Sequence, residues 1–197
     1  TVTAKFTGDA YNYNAIPDMA ATLTINKATY DMSAVTFEDK TVTYNGEIQA
    51  LAITGELPAG VEVSYENNEN ITVGEYEVTA KFTGDADNYN AIPDMKATLT
   101  IEKATYDMSG VSFENAEYDY DGTEKEIVIR GELPKGVSVN YENNKGTDAG
   151  TYEAVAKFTG NEQNYEAIED LTAVMEILPI SAQIEITNKE CLSKVYD

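Results

Sequence analysis

An all-β chain, built as a tandem series of antiparallel β-sandwich modules, is the fold class this sequence predicts, and three observations predict it. The first is internal repetition at a shift of 76 residues. The second is apolar alternation of period two inside each repeat, with no apolar stripe of helical spacing. The third is turn chemistry every 8–12 residues or so, the spacing of a sandwich.

The repetition comes first because it sets the boundaries. Val2–Asp9 returns as Val78–Asp85, and Ala154–Gly160 supplies a third copy. Val2–Lys27 and Val78–Lys103 agree at 23 of 26 positions. Ala28–Lys103 and Ala104–Pro179 share roughly half their residues without a gap. Lys27–Ser33 and Lys103–Ser109 each follow a finished strand pattern and read as junctions. Modules are therefore expected at 28–103 and 104–179. Residues 1–27 read as the C-terminal strands of a preceding, truncated repeat, and 180–197 as the start of a further, divergent module. A phase beginning near residue 1 is the alternative.

Within a module the strands follow in order. Val35–Phe37, Val42–Tyr44 and Leu51–Ile53 are short apolar patches, separated by Asn45-Gly46 and similar turn residues. Val61, Val63 and Tyr65 alternate with Glu62, Ser64 and Glu66. In Gly74–Gly84, Tyr76, Val78, Ala80 and Phe82 share one face against Glu77, Thr79, Lys81 and Thr83. Ala97, Leu99 and Ile101 then alternate with Thr98, Thr100 and Glu102. Such alternation marks half-buried antiparallel strands. Residues 1–27 hold only two strand patterns, Val2–Thr7 and Ala21–Ile25. That is too little for an independent unit, and they are expected to fray or to pair with an exposed edge.

Composition removes whole classes of function. The 197 residues carry 35 acidic and 13 basic side chains, net −22, with no histidine and one cysteine. Without histidine there is no Ser-His-Asp or Cys-His catalysis and no His-ligated zinc. The acidity argues against nucleic acid, which is bound through clustered Lys and Arg. No stretch approaches the roughly 18 apolar residues of a membrane-spanning helix, so no direct membrane insertion is expected. With 42% hydrophobic residues the chain can still build cores. Module 28–103 carries 14 acids and 4 bases, and module 104–179 carries 16 and 5. Like charge should keep neighbouring modules from coalescing.

The recurring residues form a combined pattern. Phe37, then Tyr44-x-Gly46, precede Gly55-Glu-Leu-Pro-x-Gly60-Val61-x-Val63-x-Tyr65. Gly74-x-Tyr76, Phe82, Asn88-Tyr89 and Ile101 complete it. This pattern resembles the MBG-type (YGX/YDG) immunoglobulin-like repeats of large bacterial cell-surface proteins, over nearly all of residues 1–179. The tail Ile184–Asp197 resembles the opening of another such module. The resemblance implies an Ig-like sandwich in an extracellular protein, either secreted or held at the bacterial surface as an adhesin. It implies no shared catalytic residues and no ligand site to transfer.

Each candidate site has a plainer structural reading. Eleven of the 14 tyrosines recur at repeat positions. They could be sugar-stacking platforms, but the phase of Tyr65 and Tyr76 with the buried faces favours packing. Tyr11, Tyr118 and Tyr196 do not recur throughout and are expected to be exposed. Asp85, Asp87, Asn88 and Asn90 offer oxygens at alternating positions, a weak candidate for calcium. The third copy rearranges the acids, however, so a solvated turn is the better account and no metal or other cofactor is expected. Asp119/Asp121 and Glu124/Glu126 could do acid–base work, yet they are not shared between modules. Lys5, Lys81 and Lys157 recur where a covalent isopeptide staple is conceivable, although their strand phase points to solvent. Leu57–Gly60 faintly echoes a sorting signal, Asn70-Ile71-Thr72 a glycosylation acceptor, and Cys191 stands alone; all three read as incidental. No catalytic residue is assigned, and any ligand-binding residues are unknown.

The expected function is a non-enzymatic, structural stalk segment, its modules end to end, extending a distal domain from a bacterial cell. Its expected partners are neighbouring repeats of the same chain. The rivals are multivalent modules for a host glycan, mucin or protein ligand, and accessory domains of a secreted polysaccharide-active enzyme.

Overall fold

A computed structural model describes residues 1–182. Ile184–Asp197, with Cys191 and Tyr196, lies outside the described residues, as does nearly all of the divergent module expected at 180–197. Every element is a strand and none of the described residues is helical. The chain divides into two compact units, Thr1–Val42 with Glu47–Ile101, and Thr43–Gly46 with Glu102 onward.

The first unit begins with β1 (Val2–Ala4) and β2 (Met19–Ala21), which among the described residues pair only with each other, Val2 opposite Ala21. The expected fraying or edge pairing of residues 1–27 is thus replaced by a local hairpin. Its register is that of the same positions in the complete repeat, where Val78 faces Ala97. All of residues 1–27 remain exposed.

The main sheet of this unit runs β3 (Lys40–Thr43), β6 (Met95–Glu102), β5 (Gly74–Thr83), β4 (Glu62–Glu66). The alternation read from the sequence sorts its faces. Val78, Ala80, Phe82, Ala97, Leu99 and Ile101 are buried, and Glu77 and Lys96 form an ion pair on the other face at 2.6 Å. Val35, Val61, Ala80 and Phe82 form one core cluster, closed by Tyr30, Ile53 and Tyr65 among others. The patches at Val35–Phe37 and Leu51–Ile53 form no extended strands. A single bridge, Thr36 to Thr54, joins that region, and Gln49 to Asn70 makes another.

The second unit repeats this arrangement. β7 (Ala116–Asp119), β12 (Leu171–Leu178), β11 (Gly150–Thr159) and β9 (Ser138–Glu142) lie in that order, and β8 (Lys125–Glu126) pairs with β10 (Lys145–Gly146). Ile127, Ala154, Ala173, Met175 and Ile177 form its core cluster. One edge departs from the purely antiparallel expectation: β7 runs parallel to β12, Ala116 opposite Met175. A parallel pair needs a long crossover, and residues 120–170 provide it. Tyr118, expected to be exposed, is half-buried against this core, with the Lys125 ammonium 5.8 Å from its ring. Its place on the pairing edge turns it inward, whereas Tyr11 is 97% exposed as expected.

Where strand pairing is sparse, side chains complete the backbone. Asn68 accepts from Leu51 N–H and donates to Leu51 C=O, each at 2.8 Å, and so acts as a piece of strand. Its counterpart Asn144 is buried and donates to Ile127 C=O at 2.9 Å, while Ile127 N–H donates to Asn144 C=O. Asn144→Ala strips a buried carbonyl of its partner and is expected to cost about 1–3 kcal/mol. A lowered urea midpoint for the second unit is the check.

Candidate functional site: the tyrosine clamp at the start of each repeat

The segment entering each repeat is tied to a loop some sixty residues later. In the first unit Ala28 N–H donates to Asn88 C=O at 2.9 Å, and Asn90 N–H donates to Ala28 C=O at 2.8 Å. Tyr30 then stacks on Tyr89 with ring centroids 4.1 Å apart and 16° between planes. The Tyr30 hydroxyl accepts the Asp85 N–H at 2.8 Å. Gly84 is what lets the ring in, since a Cβ there would sit 2.8 Å from that hydroxyl oxygen.

The second unit builds the same device. Ala104 N–H donates to Asn164 C=O and Glu166 N–H to Ala104 C=O. Tyr106 stacks on Tyr165 at 4.1 Å and 13°, its hydroxyl accepts the Asn161 N–H at 2.8 Å, and Gly160 leaves the space. Offset ring pairs of this kind add to the burial they bring.

The loop holding the tyrosine is the one whose oxygens suggested calcium. Asp85 spends its carboxylate locally, accepting from Asp87 N–H at 2.9 Å, Asn88 N–H at 3.2 Å and the Asn88 side-chain amide at 2.8 Å. These bonds, the Asn88 amide first, hold the Asp85 carboxyl below its ordinary pKa. Asn88 thus turns its amide nitrogen toward Asp85, and Asn90 donates to the Thr29 hydroxyl at 3.2 Å. Among the described residues no group of three or more His, Cys, Asp or Glu is placed to hold a metal ion. In the third copy Asn161 does the work of Asp85, accepting from Gln163 and Asn164 N–H. A turn cap needs an acceptor oxygen rather than a charge, which accounts for the Asp-to-Asn change between copies.

Four of the other recurring tyrosines serve the fold as well. Tyr65 and Tyr141 accept the N–H of Ile53 and Ile129, both at 3.0 Å. Tyr76 and Tyr152 donate to the carbonyls of Thr72 and Asp148. Of the carboxylate pairs, Asp121 accepts from Lys125, Thr123 N–H and the Thr123 hydroxyl, which hold it far below the usual carboxylate range, Lys125 first. It is a committed anion in a turn, and Glu126 faces Lys145 at 3.3 Å. Lys81 and Lys157 pair with Glu66 and Glu142 on the outer sheet face at 2.5 and 2.8 Å. Exposed pairs of this kind are worth little, and neither amine meets the buried amide or acid that an isopeptide link requires.

The clamp loops belong to a repeat whose kind the comparisons decide. Residues 33–105 match the family model described as MBG domain. That stretch is an MBG-type repeat. No curated protein matches the chain. Among solved structures, the titin domains Z1Z2 in complex with telethonin are similar at 13% identity, over 75% of this chain and 98% of that one, with a TM-score of 0.36. Drosophila N-cadherin EC1-3 is similar at 9% identity, over 79% and 69%, with a TM-score of 0.28. The fibronectin(III)-like modules of Clostridium thermocellum CbhA follow at 12%, over 77% and 98%, with a TM-score of 0.25. The MBG repeat 33–105 carries the loop that receives Tyr30, and strand for strand β4, β5 and β6 recur 76 residues later as β9, β11 and β12.

Proposed function

We propose that this chain is a non-catalytic stalk segment of a bacterial surface or secreted adhesin-like protein, in which MBG-type modules stand end to end and hold a distal domain away from the cell. One observation carries the reading. β6 ends at Glu102, and Ala104 is already hydrogen-bonded to the 160–166 loop of its own repeat, so Lys103 alone lies between the two anchored stretches. A one-residue linker leaves little freedom for folding back, and stiffness is what a spacer requires. The tyrosine clamp enforces this shortness by pinning the chain at the first residue of the repeat. Net charges of −10 and −11 on modules 28–103 and 104–179 add mutual repulsion.

A stalk needs no ligand of its own, and the stacked clamp pairs, Tyr65, Tyr76, Tyr141 and Tyr152 already have structural partners. A glycan array probed with the whole chain is expected to show no reproducible binding. Binding abolished by Tyr120→Ala, at a tyrosine left exposed on the second unit, would sink the pure-spacer reading in favour of multivalent glycan recognition.

A further inference from the structure

The second compact unit includes four residues, Thr43–Gly46, that the sequence places in the first repeat. They carry the Tyr44-Asn45-Gly46 turn, which returns in the second repeat as Tyr120-Asp121-Gly122.

The backbone fixes where this turn stands. Tyr44 N–H donates to Glu102 C=O at 2.8 Å, and Tyr120 N–H donates to Leu178 C=O at 2.9 Å. Glu102 and Leu178 are the last residues of β6 and β12. Each repeat therefore seats its Tyr-x-Gly turn at the end of its own final strand. After β6 only Lys103 separates that end from Ala104, where the clamp of the next repeat begins.

The side chain uses this position. Tyr44 is half-buried, and its ring meets Tyr165 with centroids 5.5 Å apart and 77° between planes. Such T-shaped pairs are a favoured aromatic geometry. Tyr165 is also the ring on which Tyr106 stacks at 4.1 Å. Three tyrosines thus stand in series, Tyr44 on Tyr165 on Tyr106, and the first comes from the repeat before. Asn164, next to Tyr165, is buried, and its C=O accepts the Ala104 N–H that opens the clamp.

We propose that Tyr44 is a coupling residue: the Tyr-x-Gly turn of one repeat docks on the clamp of the following repeat and holds its entry segment closed. The docking surface is the Tyr165 ring, and the partner it fits is the Tyr-x-Gly turn of the preceding repeat on the same chain. Clamp closure in the second unit then depends on a residue of the first repeat, a nearest-neighbour interaction of the kind that links the members of a repeat array. Such coupling rests on the stalk reading, yet the two fail separately. Glycan binding would end the pure-spacer reading and leave the coupling intact, whereas an uncoupled clamp would leave a stalk of independent modules.

The test is residue-resolved amide exchange on the full 197-residue chain carrying Tyr44→Ala or Tyr44→Phe. Tyr44→Ala removes the ring and is expected to speed exchange about tenfold at Ala104, Asn161 and Glu166, whose N–H groups the second clamp holds. Ala28, Asp85 and Asn90, the matching groups of the first clamp, are the internal reference and are expected to keep their rates. Tyr44→Phe keeps the ring and should exchange like the unaltered chain. Unchanged exchange at the second clamp in Tyr44→Ala would overturn the proposal. So would equal acceleration at both clamps, since Tyr44 would then only support its own repeat. A loss of protection in Tyr44→Phe as large as in Tyr44→Ala would overturn it too, because the ring would not be the coupling element.

Discussion

Gly131→Ala is expected to unfold the second unit under conditions where the first stays folded. Gly131 has φ +96°, a region costly for any residue with a Cβ, and the added carbon would lie 1.9 Å from the Gly110 carbonyl oxygen. Neither strand can retreat cheaply, because Ser112 and Arg130 exchange hydrogen bonds just beside the contact. Strain and clash together should cost about 3–5 kcal/mol, a large share of the roughly 5–15 kcal/mol that holds a domain together. Gly55 stands in the same position against Ala34 in the first unit, at φ +94° and 1.9 Å, and Gly55→Ala should unfold that unit instead. Gly136 supplies the control: its φ is +84° but nothing lies within 4 Å, so Gly136→Ala should cost only about 1 kcal/mol of backbone strain. Calorimetry should show the Gly131→Ala chain losing one transition and keeping the other. Two unchanged transitions would contradict the packing described.

Leu99→Ala and Met175→Ala form the second pair. They occupy the same repeat position, and both side chains are fully buried. Each truncation removes apolar contact and leaves a cavity, at an expected 2–5 kcal/mol. Because each side chain belongs to the core of its own unit, Leu99→Ala should lower the urea midpoint of the first unit alone and Met175→Ala that of the second. Residue-resolved amide exchange separates the two. Equal loss of protection in both units from either change would show a shared core and end the modular account.

The strands that bury one face were legible from their alternation, and β5, β6, β11 and β12 lie where the pattern put them. What alternation cannot reveal is hydrogen bonding supplied by side chains. Asn68 and Asn144 stand in for strand backbone, and Tyr65 and Tyr141 accept backbone N–H groups twelve residues away, so Leu51–Ile53 needs no ladder of its own. The parallel edge at β7 was hidden for a related reason, since period two is blind to strand direction. It also turned Tyr118 inward. At the clamp, the sequence showed an oxygen-rich loop but not its partner, because Tyr30 lies 55 residues upstream of Asp85. One signal did point there: Tyr30 and Gly84 recur together as Tyr106 and Gly160, a pairing that a ring seated over glycine explains.

Small-angle scattering on residues 28–179 is the most direct test of the stalk. Two sandwiches of about 35–40 Å each, joined through Lys103, should give a rod about 70–80 Å long, with a radius of gyration near 23 Å, from strands of about 7–10 residues at roughly 3.3 Å per residue plus end loops. A radius of gyration near 15 Å, the value for a single compact body of about 150 residues, would mean that the modules fold against each other and would contradict the account.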